Sequence, residues 1–141
     1  MLLTHGFTSS PATFQRNDVI AGEGSWSDLV GSGAAIDTDK YFVVCPNMLG
    51  SCYGSTGPST VNPATGKPWG PDFPEYSVAD MVSQHVLLKK LGVTRLRAVG
   101  GPSYGGIQAL QWAMDHPELV DAIIVQSRVL SFRSKSHRND F

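Results

Sequence analysis

Apolar residues are grouped into short runs, separated by stretches rich in Gly, Pro, Ser and Thr. Met1-Leu2-Leu3-Thr4 predicts a strand that opens at once into His5-Gly6. Residues 7–24 read as loop, and Ser25 to Val30 as one helical turn before Gly31-Ser32-Gly33. Asp37-Thr38-Asp39 signals a turn. Tyr41-Phe42-Val43-Val44-Cys45 follows, apolar on both faces and stopped by Pro46, which suits a buried parallel strand. Ser77 to Leu91 predicts a helix: Ser77 caps it, Asp80 completes a capping box, and Gly92 ends it. Its stripe is Val78, Met81, Val82, Val86 and Leu88 to Leu91. Leu96 to Gly100 predicts the next strand. Gly106 to His116 predicts a second helix, with Ile107, Leu110, Ala113 and Met114 inward and Pro117 as its stop. Val120 to Val125 predicts a fourth strand. Strands alternating with helices imply an α/β sheet of mostly parallel strands.

Between the second strand and the first helix, residues 46–76 hold six of the nine prolines and five glycines. Long irregular segments of this kind are commonly functional. No repeat or low-complexity tract interrupts the pattern.

At 141 residues the chain has room for one domain. A net charge of -1 argues against a surface for nucleic acid. Residues 128–141 sum to +3, which leaves -4 for the rest, so a domain over 1–127 and a basic tail over 128–141 are expected. No apolar run approaches the roughly 20 residues of a bilayer span, and no charged region precedes the first apolar stretch as in a signal peptide. Cys45 and Cys52 make no disulfide scaffold, so a cytoplasmic location fits. No metal site is expected.

The chemistry resides in Gly101-Pro102-Ser103-Tyr104-Gly105, a G-x-S-x-G pattern between a predicted strand and a predicted helix. A turn this sharp admits only small residues at Gly101 and Gly105. It projects the Ser103 hydroxyl above the sheet, at a helix N-terminus that favours a developing oxyanion. A phosphate-binding turn is the competing reading. In a serine hydrolase one oxyanion N–H comes from the residue after the nucleophile, here Tyr104. The other comes from the loop after a neighbouring strand, where Phe7 of His5-Gly6-Phe7 is the candidate.

Four stretches carry a more specific likeness: Asp28 to Gly31, Ile36 to Val44, Asn47 to Pro58 and Asn62 to Pro74. They resemble the homoserine O-acetyltransferase family of the α/β-hydrolase fold, over His5 to about Val125. The resemblance implies Ser103 as acyl-accepting nucleophile and Phe7 and Tyr104 as oxyanion donors. It implies acyl-CoA and an amino-acid hydroxyl as substrates, with acetyl-CoA consumed as substrate and no cofactor needed. Tyr104 stands where the family usually has methionine, and His5-Gly6-Phe7 where it has a His-Ala-Leu-like run. The resemblance also places the start of the chain at the third strand of the fold. The expected architecture is a truncated α/β-hydrolase core of about four strands with flanking helices and no lid domain. The family's His and Asp partners would lie beyond Phe141.

A serine needs a base. Of His5, His85, His116 and His137, His5 is the expected substitute, because its strand neighbours that of Ser103; His137 is the alternative. The leading expectation is a carboxylesterase acting on short-chain, small-molecule acyl esters. Homoserine O-acetyltransferase, or a fragment of one, is the second, and a non-catalytic α/β binding domain the third. In the strand order that the resemblance implies, running from the Tyr41 strand through the Met1 and Leu96 strands to the Val120 strand, both outer edges are unpaired, which leads us to expect a homo-oligomer, without nucleic-acid or membrane partners.

Overall fold

The computed structural model describes residues 1–15 and 26–126. Its sheet has three parallel strands in the order β1 (Leu2–Leu3), β4 (Val99–Pro102) and β5 (Ile123–Gln126). Two more short strands, β2 (Val30–Gly31) and β3 (Ile36–Asp37), pair separately with each other. Register is set by Leu2 against Val99 and by Val99 against Ile123. Val44 adds a parallel bridge to Leu2, and Leu96 one to Val120. The spatial order is therefore the expected one: the Tyr41 segment, the Met1 strand, the serine strand, then the last strand.

All four expected strands differ in extent; the first shortens to Leu2–Leu3, and the last, expected over Val120–Val125, runs from Ile123 to Gln126. The Tyr41–Cys45 run was expected to be a buried strand, yet only Val44 pairs, and Phe42 is largely exposed. Its one neighbour, β1, is two residues long and offers few ladder positions. The serine strand begins at Val99 and extends through Pro102, past the expected end at Gly100. Pro102 takes that place because it is a strand end, where a missing N–H costs little.

Three helices follow the loops: α1 (Val78–Val82), α2 (His85–Lys90) and α3 (Tyr104–Asp115). The Ser77–Asp80 capping box forms as expected: the Ser77 Oγ accepts from Asp80 N–H and the Asp80 carboxylate accepts from Ser77 N–H. The single helix expected over 77–91 is instead two. Ser83 Oγ donates to Asp80 O at 2.6 Å, a local bond that competes with continuation of the helix. Gly92, with φ 72°, ends α2 in a Schellman motif, Val93 N–H donating to Leu88 O and Gly92 N–H to Lys89 O.

The buried face of α3 is also offset from expectation. Gly105, Gly106, Gln108, Ala109 and Trp112 are buried, whereas Met114 is exposed. The two glycines let the first turn lie close to the strand ends, which rotates that face toward the sheet. The core gathers Leu2, Val82, Leu88, Leu96, Val99, Ala109 and Trp112, with α3 against β4 and β5 and α1 against α3.

Segment 46–76 is irregular, as expected, apart from a 3-10 turn over Gly70–Asp72 and a Val61–Pro68 bridge. The expected loop over 7–24 contains a 3-10 helix, Pro11–Phe14, capped by Ser10; the helical turn near Ser25 is a 3-10 turn over Ser27–Leu29. The basic tail lies outside the described residues. No helix among the described residues is long and apolar enough to cross a membrane.

Trp112 is 1% exposed at the centre of the core. Trp112→Ala is expected to cost about 3–5 kcal/mol, a large part of the stability of a small domain. A urea titration followed by circular dichroism would show this as a lowered midpoint.

Candidate active site

Ser103 lies at the junction of β4 and α3 and is exposed. Its φ of 52° and ψ of -122° make it the one non-glycine residue with positive φ among the described residues. Such a conformation costs about 1–3 kcal/mol and persists only where its surroundings hold it. Ser103 N–H donates to Gln126 O at 2.7 Å, and Gly106 N–H donates to Ser103 O at 3.0 Å. The strand on one side and the helix on the other thus fix the residue between them.

The flanking glycines follow from a single close approach. A Cβ at Gly101 would lie 1.8 Å from Thr4 O, and one at Gly105 would lie 2.2 Å from the same oxygen. The end of β1 therefore presses its carbonyl into the space that both missing side chains leave. Thr4 Oγ1, buried, reaches Gly105 O at 2.8 Å and Gly100 O at 3.2 Å. Thr4 N–H also donates to Gly100 O at 2.9 Å. Thr4 ties strand, turn and helix together, a role that the sequence analysis missed. Its signal was a hydroxyl at the end of an apolar strand.

Tyr104 opens α3 and Phe7 follows β1 by way of His5-Gly6. Their rings meet edge to face with centroids 5.9 Å apart. The two expected oxyanion donors therefore come from neighbouring segments beside Ser103. Neither N–H has a hydrogen-bond acceptor among the described residues, which leaves both available to a ligand oxygen. The N-terminal end of α3 adds its partial positive charge.

His5 requires a correction. Its side chain is 1% exposed, Nε2 accepts from Met48 N–H at 3.0 Å, and Nδ1 lies 2.9 Å from Gly6 O. An N–H donor at Nε2 puts the ring proton on Nδ1, which donates to Gly6. To take a proton from Ser103, the ring would have to give up the Met48 bond. This geometry fits a histidine that joins the loop after β1 to residues 47–48, and the base role is not supported by it. Gln108 Nε2 completes the join by donating to His5 O at 3.3 Å, with Met48 Sδ also at 3.5 Å.

The remaining histidines divide differently. His116 caps the far end of α3, about 18 Å along the helix from Ser103, and approaches Glu118 at 3.8 Å. His85 lies in α2. His137, the alternative base, lies outside the described residues. Cys45 does not compete as a nucleophile, because burial pushes its thiol up to about 12.

Tyr76 is another residue that the motif did not point to. Its hydroxyl fills the place where a Cβ of Gly50 would lie, 1.9 Å away. It contacts Phe73 edge to face at 5.8 Å, and Phe73 contacts Trp69 at 6.2 Å. Burial, and then the nearby Tyr76, push the Tyr104 hydroxyl above the usual tyrosine range. Segment 46–76 thus holds a row of three aromatic rings, Trp69, Phe73 and Tyr76.

Known proteins share this arrangement of sequence and fold. The sequence profile of the alpha/beta hydrolase fold matches residues 1–137. A homoserine O-acetyltransferase of Moorella thermoacetica is 57% identical over 102 residues, covering 72% of this chain and 27% of that protein. One from Rhodospirillum rubrum is 46% identical over 125 residues, covering 88% and 32%. Among solved structures, homoserine O-acetyltransferase from Bacillus anthracis superposes with a TM-score of 0.77 at 36% identity, covering 89% of this chain and 36% of that one. Esterase E22 superposes with a TM-score of 0.73 at 40% identity, covering 84% and 34%. The chain thus spans about a third of the length of the proteins it matches.

The close approach at Thr4 makes a definite demand. Gly101→Ala would force its methyl into a backbone carbonyl that cannot rotate away, and is expected to cost about 3 kcal/mol or more. The loss would be read as a lower urea midpoint, together with weaker modification of Ser103 by a serine-directed probe.

Proposed function

The chain belongs to the alpha/beta hydrolase fold family, and from that premise we propose that Ser103 is the nucleophile of an acyl-transfer site of the homoserine O-acetyltransferase type. The observation that carries this reading is Ser103 itself, held at positive φ beside two N–H donors that have no acceptor among the described residues. The likeness to homoserine O-acetyltransferases supports the choice of reaction.

In the proposed reaction Ser103 Oγ attacks the carbonyl carbon of an acyl thioester such as acetyl-CoA. The new C–O bond forms as the carbonyl π pair moves to oxygen, and the Oγ proton passes to a base. Phe7 and Tyr104 N–H groups bind the resulting oxyanion, the interaction that typically contributes most in such sites. Collapse restores the carbonyl, breaks the C–S bond and releases the thiol, which recovers the proton. The hydroxyl of an amino acid such as homoserine then attacks the acyl-serine, and the same steps run in reverse. His5 and His116 are engaged elsewhere, so another group supplies the base, in keeping with the position beyond the serine that the family resemblance implies. The reaction needs no cofactor, since the acyl thioester is a substrate.

A second reading differs only in the acceptor. The likeness to esterase E22 favours water, which makes the site a carboxylesterase. Free Cys45 and Cys52 fit a reducing, cytoplasmic compartment for either reading.

A fluorophosphonate probe should label the protein at Ser103 alone, and Ser103→Ala should remain folded and unlabelled. Labelling at a different serine would exclude the assignment. Release of thiol from acetyl-CoA that rises with added homoserine would identify the transferase; release of p-nitrophenol from its acetate, indifferent to homoserine, would identify the esterase. Either activity should fall about a thousandfold or more in Ser103→Ala.

We further propose that the chain self-associates, as expected from its edges. Ile123, Ile124 and Val125 of β5 are 39%, 48% and 36% exposed, and exposed apolar strand edges favour pairing. Sedimentation at low micromolar concentration should give a species above the monomer mass; a single monomer would count against it.

A further inference from the structure

Gln108 is 3% exposed, on the face of α3 that otherwise buries Gly105, Gly106, Ala109 and Trp112. A primary amide in such a place costs free energy unless it is bonded. Its Nε2 donates to His5 O at 3.3 Å, a partner 103 residues away in the chain. The same nitrogen lies 3.5 Å from Met48 Sδ, and Met48 N–H donates to the His5 ring at 3.0 Å. About 7.5 Å along its axis from Ser103, the helix therefore grips the loop that carries Phe7.

The grip acts on two successive peptide groups. His5 O shares one with Gly6 N–H, and Gly6 O shares the next with Phe7 N–H. Gln108 holds the first. The His5 ring holds the second, its Nδ1–H donating to Gly6 O at 2.9 Å, with Ser9 N–H donating to the same oxygen at 3.2 Å. A planar trans peptide points its N–H opposite to its C=O. These bonds therefore turn the Phe7 N–H away from the His5 ring and from Ser9. The direction of that donor depends on where His5 sits, and Gln108 ties His5 to the helix.

We propose that Gln108 is a positioning residue of the acyl-transfer site: by holding His5 O, it fixes the direction of the Phe7 N–H relative to Ser103. The inference rests on Ser103 being the nucleophile and adds a residue that acts on the reaction only through the backbone of another segment. Ser103 caps α3 and Tyr104 opens it, so the first oxyanion donor moves with the nucleophile. The second donor comes from the loop after β1, and its register with the helix must be held by side chains. Thr4 Oγ1 ties the start of that loop to Gly105 O, and Gln108 acts one residue nearer to Phe7. Loss of the Gln108 amide leaves Tyr104 in place and frees the Phe7 donor to swing.

The test uses two probes that differ in one atom, an alkyl fluorophosphonate and its P=S analogue. Each forms an O–P bond to serine while fluoride leaves with the bonding pair and the serine proton passes to buffer. The P=O oxygen takes both N–H donors as charge develops on it, whereas the larger sulfur takes them poorly. The ratio of the two modification rates, followed by intact mass and peptide mapping, therefore reads the donors. An unfolded fraction lowers both rates alike and cancels in the ratio. Gln108→Met keeps length and packing without a donor, and Gln108→Asn keeps the amide one methylene short. Each should lower the oxygen-to-sulfur ratio about tenfold, less than the roughly 10²–10³ that loss of a whole donor costs. A lower ratio in either variant supports the role. A ratio unchanged in both, or loss of both rates together, makes Gln108 a packing residue only; it overturns the positioning role and leaves the nucleophile standing. No modification of Ser103 by either probe in the wild-type protein overturns the nucleophile assignment, and the positioning role with it.

Discussion

The contact of the Thr4 carbonyl with Gly101 and Gly105 is the constraint on which the rest of the site depends. It joins the end of β1 to the turn between β4 and α3 at a separation that admits no side chain on either flank. Because Thr4 directly follows the paired strand and its N–H and hydroxyl are both bonded, its carbonyl cannot retreat without disturbing those bonds. The turn must therefore stay tight, Ser103 must stay at positive φ, and α3 must start where it does. The same packing directs the chain after Thr4 past the α3 N-terminus, which is how Phe7 comes to meet Tyr104. His5, bonded through both ring nitrogens, then secures that loop from the inside.

A serine so placed illustrates how strain is stored at a reactive group. The unfavourable backbone of one residue is held by bonds from two different elements, Gln126 and Gly106. In the proposed reaction the hydroxyl and the two N–H donors would need no reorganisation when substrate arrives.

Much of this was legible from residue order. The strand order followed from the family resemblance, and the motif between Val99 and Gly106 located the tight turn at Ser103, because its meaning is local. What local signals did not reach were contacts across the sheet. Thr4 appears in sequence as an ordinary strand-end hydroxyl, and only its partners Gly100 and Gly105 reveal its role. His5 appeared to be a base because its strand adjoins that of Ser103. The Met48 N–H that occupies it comes from a loop with no regular pattern. The α3 face was misjudged because hydrophobicity favoured Ile107 and Met114, whereas close approach favoured two glycines and Gln108. The Tyr41 run was apolar enough for a buried strand, but its pairing depended on the length of its neighbour.

The distance along the chain between the two halves of the elbow has a consequence for how the molecule assembles. Thr4 Oγ1 and its acceptor Gly105 are 101 residues apart, and every pairing of β1 in the sheet with β4 spans a similar interval. Contacts this remote close late, since the entropy of a large loop is lost before any rung is gained. During synthesis β1 is made well before β4. Until the serine turn is made, Leu2 and Leu3 have only the Val44 segment to pair with. The turn that carries Ser103 is thus among the last features of this region to form.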